Sequence, residues 1–99
     1  MQENKNDNDQ TVFIGSKPFM NYVTSLVMQF TTLNREEVVV KARGKFISKA
    51  VDVTEVTRKR FLKELNIGIK DIAINSEEFT NQEGKQVRVS TIEIFLNKN

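Results

Sequence analysis

The sequence predicts a single α+β domain. It is expected to be a two-layer α/β sandwich of order β-α-β-α-β-β, with a mixed four-stranded sheet, two helices on one face and a projecting hairpin formed by the last two strands. The chain's 99 residues, 38% of them hydrophobic, fit one core. Two stretches place apolar residues at helical spacing, and the other apolar segments are short runs typical of strands. The initial strand–helix–strand order predicts a parallel, right-handed crossover.

Residues 1–10 (MQENKNDNDQ) offer almost nothing to bury, so we expect a flexible polar tail, followed by a folded domain over residues 11–99. The β-branched and aromatic run TVFIG (residues 11–15) predicts the first strand. Pro18 is favoured at the first helical position, where its missing N–H is not needed.

The first helix is predicted from apolar residues that recur at intervals of three and four and form one face. These residues are Phe19, Tyr22, Val23, Leu26, Val27, Phe30 and Leu33. The valine run in residues 37–42 (EVVVKA) then predicts a central strand.

Gly44 is predicted to open the second helix, which runs to about Leu65. Its apolar arc covers more than half of the circumference, which is more than one sheet can cover. We therefore expect this helix to pack against another chain as well. Arg58 falls inside the apolar arc, and the sequence does not explain it. The arc consists of Phe46, Ile47, Ala50, Val51, Val53, Val56, Phe61, Leu62 and Leu65.

The last two strands are predicted at residues 72–79 and 87–96, with Ile92, Ile94 and Leu96 on one side of the second. The polar stretch TNQEGKQ (residues 80–86) joins them, with Gly84 at the turn. Because this turn has no apolar anchor, we expect the hairpin to project into solvent.

The composition excludes several classes of function. The sequence has no cysteine and no histidine, which excludes disulfides, thiolate nucleophiles, the usual zinc ligands and the commonest acid–base side chain. No apolar run is long enough for a membrane span, and the first residues do not resemble a signal peptide. We expect a soluble, intracellular protein.

The positive charge is concentrated in the middle of the chain. Residues 41–63 contain eight basic and two acidic residues, a net charge of +6, although the whole chain carries only +2. The basic residues are Lys41, Arg43, Lys45, Lys49, Arg58, Lys59, Arg60 and Lys63. Four of them surround Gly44, whose turn into a helix can bring them together at the helix N-terminus, a place that attracts phosphate. From charge alone, a merely solvated basic surface remains an equal alternative.

Three segments resemble the Alba family of archaeal chromatin proteins: FIGSKPFMNYV (residues 13–23), VVVKARGKFISKAVDVTEV (38–56) and RVSTIEI (88–94). The resemblance implies a domain that dimerises, as a homodimer or with a paralogue, and binds nucleic acid with two hairpin arms and a basic body between them. It also implies a cytoplasmic, chromosome-associated protein.

The resemblance also implies roles for individual residues. Lys17 occupies the second position of a lysine pair common in the family. The first position, which is acetylated in some relatives to weaken DNA binding, is Ser16 in this chain, so that form of regulation is in doubt. Phe61 matches an aromatic position used in packing between dimers. The body contacts match Arg43, Lys45 and Lys49, and the arm contacts match Lys85 and Arg88.

Other candidate roles have alternatives at this stage. Tyr22 is a candidate for stacking on a base or a sugar, but its helical position also suits the core. The hairpin arm could enter a minor groove or be an ordinary mobile loop tip. The full predicted binding set is Ser16, Lys17, Tyr22, Lys41, Arg43, Gly44, Lys45, Lys49, Lys85 and Arg88, and the predicted dimer or dimer–dimer set is Phe46, Val53, Val56 and Phe61.

No enzymatic role is expected, and no metal or cofactor. Asp52 and Glu55 are better explained as salt-bridge partners than as metal ligands, and Ser48 and Ser90 have no histidine to activate them. Three hypotheses follow. The protein coats and compacts duplex DNA through phosphates as a dimer, binds RNA in ribonucleoprotein complexes, or is a scaffold that uses its wide apolar helix to bind proteins.

Overall fold

The computed structural model describes residues 10–99. In chain order the elements are β1 (Thr11–Phe13), α1 (Phe19–Phe30), β2 (Glu37–Arg43), α2 (Ile47–Val56), β3 (Ile67–Thr80) and β4 (Gln86–Lys98). The predicted order β-α-β-α-β-β is confirmed. Nearly all of the predicted N-terminal tail lies outside the described residues, so it stays a prediction. Within residues 10–99, no helix has the length and apolar character needed to span a membrane.

The four strands form one mixed sheet, as predicted, and their order in it is β1-β2-β4-β3. β1 and β2 pair in parallel, and β4 pairs antiparallel with both β2 and β3. Burial alternates along the central strands: Val40 of β2 lies opposite Ile94 of β4, and both are buried. The helices therefore cover one face of the sheet, called the helix side below. The other face is called the open side.

α1 presents one apolar face to the core, formed by Tyr22, Val23, Leu26 and Phe30. Pro18 precedes the first helical residue as its N-cap, one position before the predicted place. The prediction that Leu33 extends this face is wrong. The helix ends at Phe30, and Leu33 is 54% exposed.

The second helical region is less regular than predicted. A 3₁₀ turn (Gly44–Phe46) precedes α2, and a π-helical turn (Thr57–Phe61) and a second 3₁₀ turn (Lys63–Leu65) follow it. The predicted continuous helix to Leu65 is therefore wrong beyond Val56. The buried part of the apolar arc is also narrower than predicted, because Val51 and Phe61 are 42% and 49% exposed.

Arg58 has a structural role that the sequence did not reveal. Its Nε donates to the Ile67 carbonyl oxygen at 2.9 Å, and its guanidinium pairs with Glu55 at 2.5 Å. The residue thus ties the π-helical turn to the start of β3. The polar end of its side chain is satisfied, which allows the residue to lie among apolar neighbours.

β3 begins at Ile67, five residues earlier than predicted, and Gly68 lies inside the strand. A β-bulge between Ile69 and Asp71 shifts the register. The extra residue, Lys70, donates to a Glu37 carboxylate oxygen at 2.8 Å, and this hydrogen bond raises the pKa of the lysine. Because of the bulge, Ile69 lies on the same side of the sheet as two further isoleucines, Ile72 and Ile74.

Candidate nucleic-acid interface

The loop at residues 15–17, between β1 and α1, is held by two side chains. The Tyr22 hydroxyl accepts hydrogen bonds from the backbone N–H groups of Gly15 and Lys17, at 3.0 and 3.1 Å. The Lys49 ammonium donates to the carbonyl oxygens of the same two residues, at 2.7 and 2.6 Å. Four hydrogen bonds therefore fix this short loop, while Ser16 and Lys17 remain exposed.

Tyr22 and Lys49 therefore act by holding the backbone of this loop in place. Tyr22 is only 8% exposed, so the structure places it in the core, and its ring is not free to stack on a base. The Lys49 nitrogen lies 5.1 Å from the centre of the Tyr22 ring. An ammonium has three donors, so the two carbonyl bonds leave Lys49 at most one for a phosphate.

The turn at residues 43–45 brings further cations to the same edge of the sheet. Gly44 has φ +59°, and a Cβ at this position would lie 3.2 Å from a Val89 methyl carbon, so the turn favours glycine for both reasons. Arg43 and Lys45 flank it and are exposed. Because β1 and β2 are parallel neighbours, the loop and this turn follow the same ends of adjacent strands. We call Ser16, Lys17, Arg43, Gly44 and Lys45 the cationic edge.

Three of the predicted binding cations are paired with carboxylates of β3 and β4. Lys41 pairs with Glu93 at 3.0 Å, Arg43 with Glu77 at 2.6 Å, and Arg88 with Glu78. None of the three pairs is predictable from sequence spacing, because they follow from strand register. The pairs are substantially exposed, so each is worth at most about 1 kcal/mol, and a phosphate can displace the carboxylate.

The hairpin arm is not basic. Residues 76–88 contain three acidic residues against only Lys85 and Arg88. Its tip is ordered by Asn81, whose Oδ1 accepts hydrogen bonds from the N–H groups of Glu83 and Lys85 at 2.9 and 3.0 Å. Lys85 therefore lies at the hairpin tip, whereas Arg88 lies on β4 beside Val89, whose methyl group faces Gly44 of the cationic edge, and is paired with Glu78 of β3.

The four residues predicted for a subunit interface differ in exposure. Val53 is fully buried within the single chain, so the prediction that it contacts another chain is wrong. Phe46 and Val56 are half-buried and pack against the core, whereas Phe61 is 49% exposed.

A cavity of about 500 Å³ opens beside the cationic edge. Part of its wall is Phe13, which is 65% exposed on the open side of β1. The ion pairs that Lys41 and Arg43 make with Glu93 and Glu77 also lie in the wall. The lining residues are Phe13, Ile14, Gly15, Lys41, Ala42, Arg43, Phe46, Glu77, Thr91, Ile92 and Glu93.

Comparison with known proteins gives consistent matches. The family model for Alba matches residues 10–76. The "DNA/RNA-binding protein Alba" of Methanococcus maripaludis is 48% identical over 90 residues, which cover 91% of this chain and 99% of the relative. The protein of the same name from Methanocella arvoryzae is 47% identical over 90 residues, which cover 91% of each chain.

Two solved structures share the fold. Alba from Thermoplasma volcanium superposes with a TM-score of 0.81 at 42% identity, and the match covers 89% of this chain and 99% of that one. ALBA1 from Trypanosoma brucei gives a TM-score of 0.66 at 22% identity, over 90% of this chain and 68% of the other, which is a likeness of fold alone.

Proposed function

Because this chain belongs to the Alba family, we propose that it binds nucleic acid without regard to sequence and, as a dimer, coats and compacts duplex DNA. The observation that carries the proposal is the cationic edge, where an ordered loop and a tight turn present cations side by side. No catalytic group, metal or cofactor enters the proposal, and the partner is double-stranded DNA or RNA.

Phosphate is the group that this edge suits best. Lys17 and Lys45 are exposed, and neither ammonium pairs with a carboxylate of residues 10–99. Arg43 offers a planar set of donors once Glu77 is displaced. Such contacts release counterions from the polyphosphate and carry no base information, so binding is independent of sequence.

RNA binding is the second candidate, and the names of the relatives from Methanococcus maripaludis and Methanocella arvoryzae include it. Phosphate contacts do not distinguish DNA from RNA. A role in ribonucleoprotein complexes would use the same cationic edge, whereas the first proposal places the protein on the chromosome in the cytoplasm.

A salt series tests the proposal. Fluorescence anisotropy with duplex DNA, single-stranded DNA and RNA should show that the logarithm of the association constant falls linearly with the logarithm of the salt concentration. The slope should be about −5 if a dimer uses Lys17, Arg43 and Lys45 of both chains. Equal affinities for unrelated sequences would support phosphate contacts, and failure to bind any polynucleotide at low salt would refute the proposal. Competition between duplex DNA and RNA at physiological salt separates the two candidates.

We further propose that a second copy of the chain covers the helix side of β3. β3 is an edge strand, and its isoleucines Ile69, Ile72 and Ile74 are 40%, 52% and 78% exposed. Their register partners on β4 are buried, so this apolar ridge continues the core to the edge of the sheet. A contiguous exposed apolar patch of this kind marks a surface that another protein chain covers. Phe61 remains the candidate for contacts between dimers.

The Tyr22→Phe variant tests whether the loop is ordered by Tyr22. It removes the acceptor of two backbone N–H groups while keeping the ring, and should lower the free energy of unfolding by about 1–3 kcal/mol. Affinity for duplex DNA should fall because Lys17 is less well positioned. The salt slope should not change, because no cation is lost.

Urea denaturation and anisotropy measure the two effects. Ser25→Ala is the matched control, since it removes an exposed hydroxyl from the same helix. An unchanged unfolding free energy in Tyr22→Phe would contradict the role assigned to the hydroxyl.

A further inference from the structure

We propose that the cavity beside Phe13 is a binding site for one unpaired nucleobase. This inference rests on the proposed function, since the base belongs to a strand whose phosphates lie on the cationic edge. It adds a preference for single-stranded segments that the phosphate contacts alone do not provide.

The first argument is the exposed aromatic ring. Val12 and Ile14 are buried on the helix side, and the alternation of β1 turns Phe13 outward with 65% of its surface in solvent. The Lys41 nitrogen lies 5.8 Å from the ring centre and the Phe46 ring lines the same cavity. An aromatic side chain on an open sheet face is a platform on which single-stranded bases stack.

The second argument is charge. The cavity wall contains two cations, Lys41 and Arg43, and two carboxylates, Glu77 and Glu93, each cation paired with one carboxylate. These charges cancel in the free protein. Once a phosphate on the cationic edge takes Arg43 from Glu77, the wall keeps Lys41 and two carboxylates, which disfavours a second phosphate inside the cavity. A neutral ligand that has both donors and acceptors fits this wall, and the edge of a nucleobase has both. Carboxylates accept from exocyclic amino groups, and the Lys41 ammonium donates to ring nitrogens and carbonyl oxygens.

The third argument is position. Gly15 lines the cavity and also belongs to the loop that presents Lys17, so a base in the cavity and a phosphate on the cationic edge can come from the same strand. A volume of about 500 Å³ is within the range of small-molecule sites. A base in a duplex is stacked and paired on its edge, so only an unpaired base can enter.

The test compares Phe13→Ala with the unchanged protein on two probes: a single-stranded RNA of about ten nucleotides with one 2-aminopurine, and a duplex DNA of equal length. We expect roughly a 5- to 150-fold loss of affinity for the single strand, the range measured for one stacked base. Duplex affinity should change less than about twofold, and the salt slope on both probes should stay the same because no cation is removed. The 2-aminopurine fluorescence should be quenched by the unchanged protein and by Phe13→Tyr, but not by Phe13→Ala.

Phe79→Ala is the matched control, because Phe79 is 45% exposed on the open side near the hairpin tip and does not line the cavity. Circular dichroism checks that the variants fold. Unchanged single-strand binding in Phe13→Ala, or an equal loss on both probes, would overturn the base site and leave the proposed function intact. A protein that binds neither probe at low salt would overturn both.

Discussion

Replacing Lys17 and Lys45 together with alanine should weaken binding to duplex DNA roughly 10²- to 10³-fold at 0.15 M salt. A dimer would lose four phosphate contacts, and each contributes about 0.9 to the slope of log affinity against log salt. The slope should therefore become shallower by about 3–4 units, or about one unit for each lost contact. Anisotropy titrations on two duplexes of unrelated sequence, at several salt concentrations, measure both quantities.

The control for this double variant is Lys59→Ala with Lys63→Ala, which removes the same charge from the far end of the second helical region. These lysines are exposed, and they lie roughly 20 Å (Lys59) and 27 Å (Lys63) along the helical path from Lys45, beyond the screening length of about 8 Å at this salt. We expect at most a few-fold loss of affinity. Equal losses in the two double variants would mean that total charge, rather than the cationic edge, drives binding.

The double variant Ile72→Lys with Ile74→Lys should convert a dimer into a monomer. Light scattering should give twice the chain mass of 11.4 kDa for the unchanged protein and the single mass for the variant. Charges on the apolar ridge would be buried without partners in a dimer, which opposes association strongly. Because a monomer has half of the cations, the salt slope of binding should also fall by about half.

Met20→Lys with Met28→Lys is the control for association, because both methionines lie on α1 and are 47% exposed. This variant should stay dimeric. An unchanged protein that is strictly monomeric at micromolar concentration, or a dimer that survives both isoleucine substitutions, would contradict the proposed interface. In the second case Phe61, the exposed aromatic of the second helical region, becomes the residue to replace.

The element order and the sheet follow from sequence periodicity, since apolar spacing separates helices from strands with little ambiguity here. The first and last residues of the helices and strands were less predictable. β3 begins at Ile67 rather than at Ile72, so that Gly68 lies in the strand, and the bulge at Lys70 has no signal in the apolar pattern. Leu33 has the correct spacing for α1 but lies beyond its end.

The candidate site was predictable in its residue types but not in its contacts. Lys49 was assigned to phosphate, yet its ammonium is largely used by the loop at residues 15–17, which is distant in sequence. The pairing of Arg43 with Glu77 joins residues 34 positions apart. Such contacts depend on strand register and loop conformation, and a single sequence does not specify either directly. The interface prediction for Val53 is wrong because helical periodicity shows which face of a helix is apolar, but not which neighbour covers that face.

The position of β4 between β2 and β3 has a consequence for how the chain folds. β3 and β4 are joined by a short turn, so their pairing is local, and isolated hairpins form in about 1–10 μs. Pairing β4 with β2 instead joins Arg43 to Thr91 at its nearest point and closes a loop of about 48 residues, which costs about 2 kcal/mol more in entropy than closing the short hairpin turn. Long-range closures of this kind slow folding. We therefore expect the arm to form early, and the strand ends that carry the binding cations to align only in the slow final step.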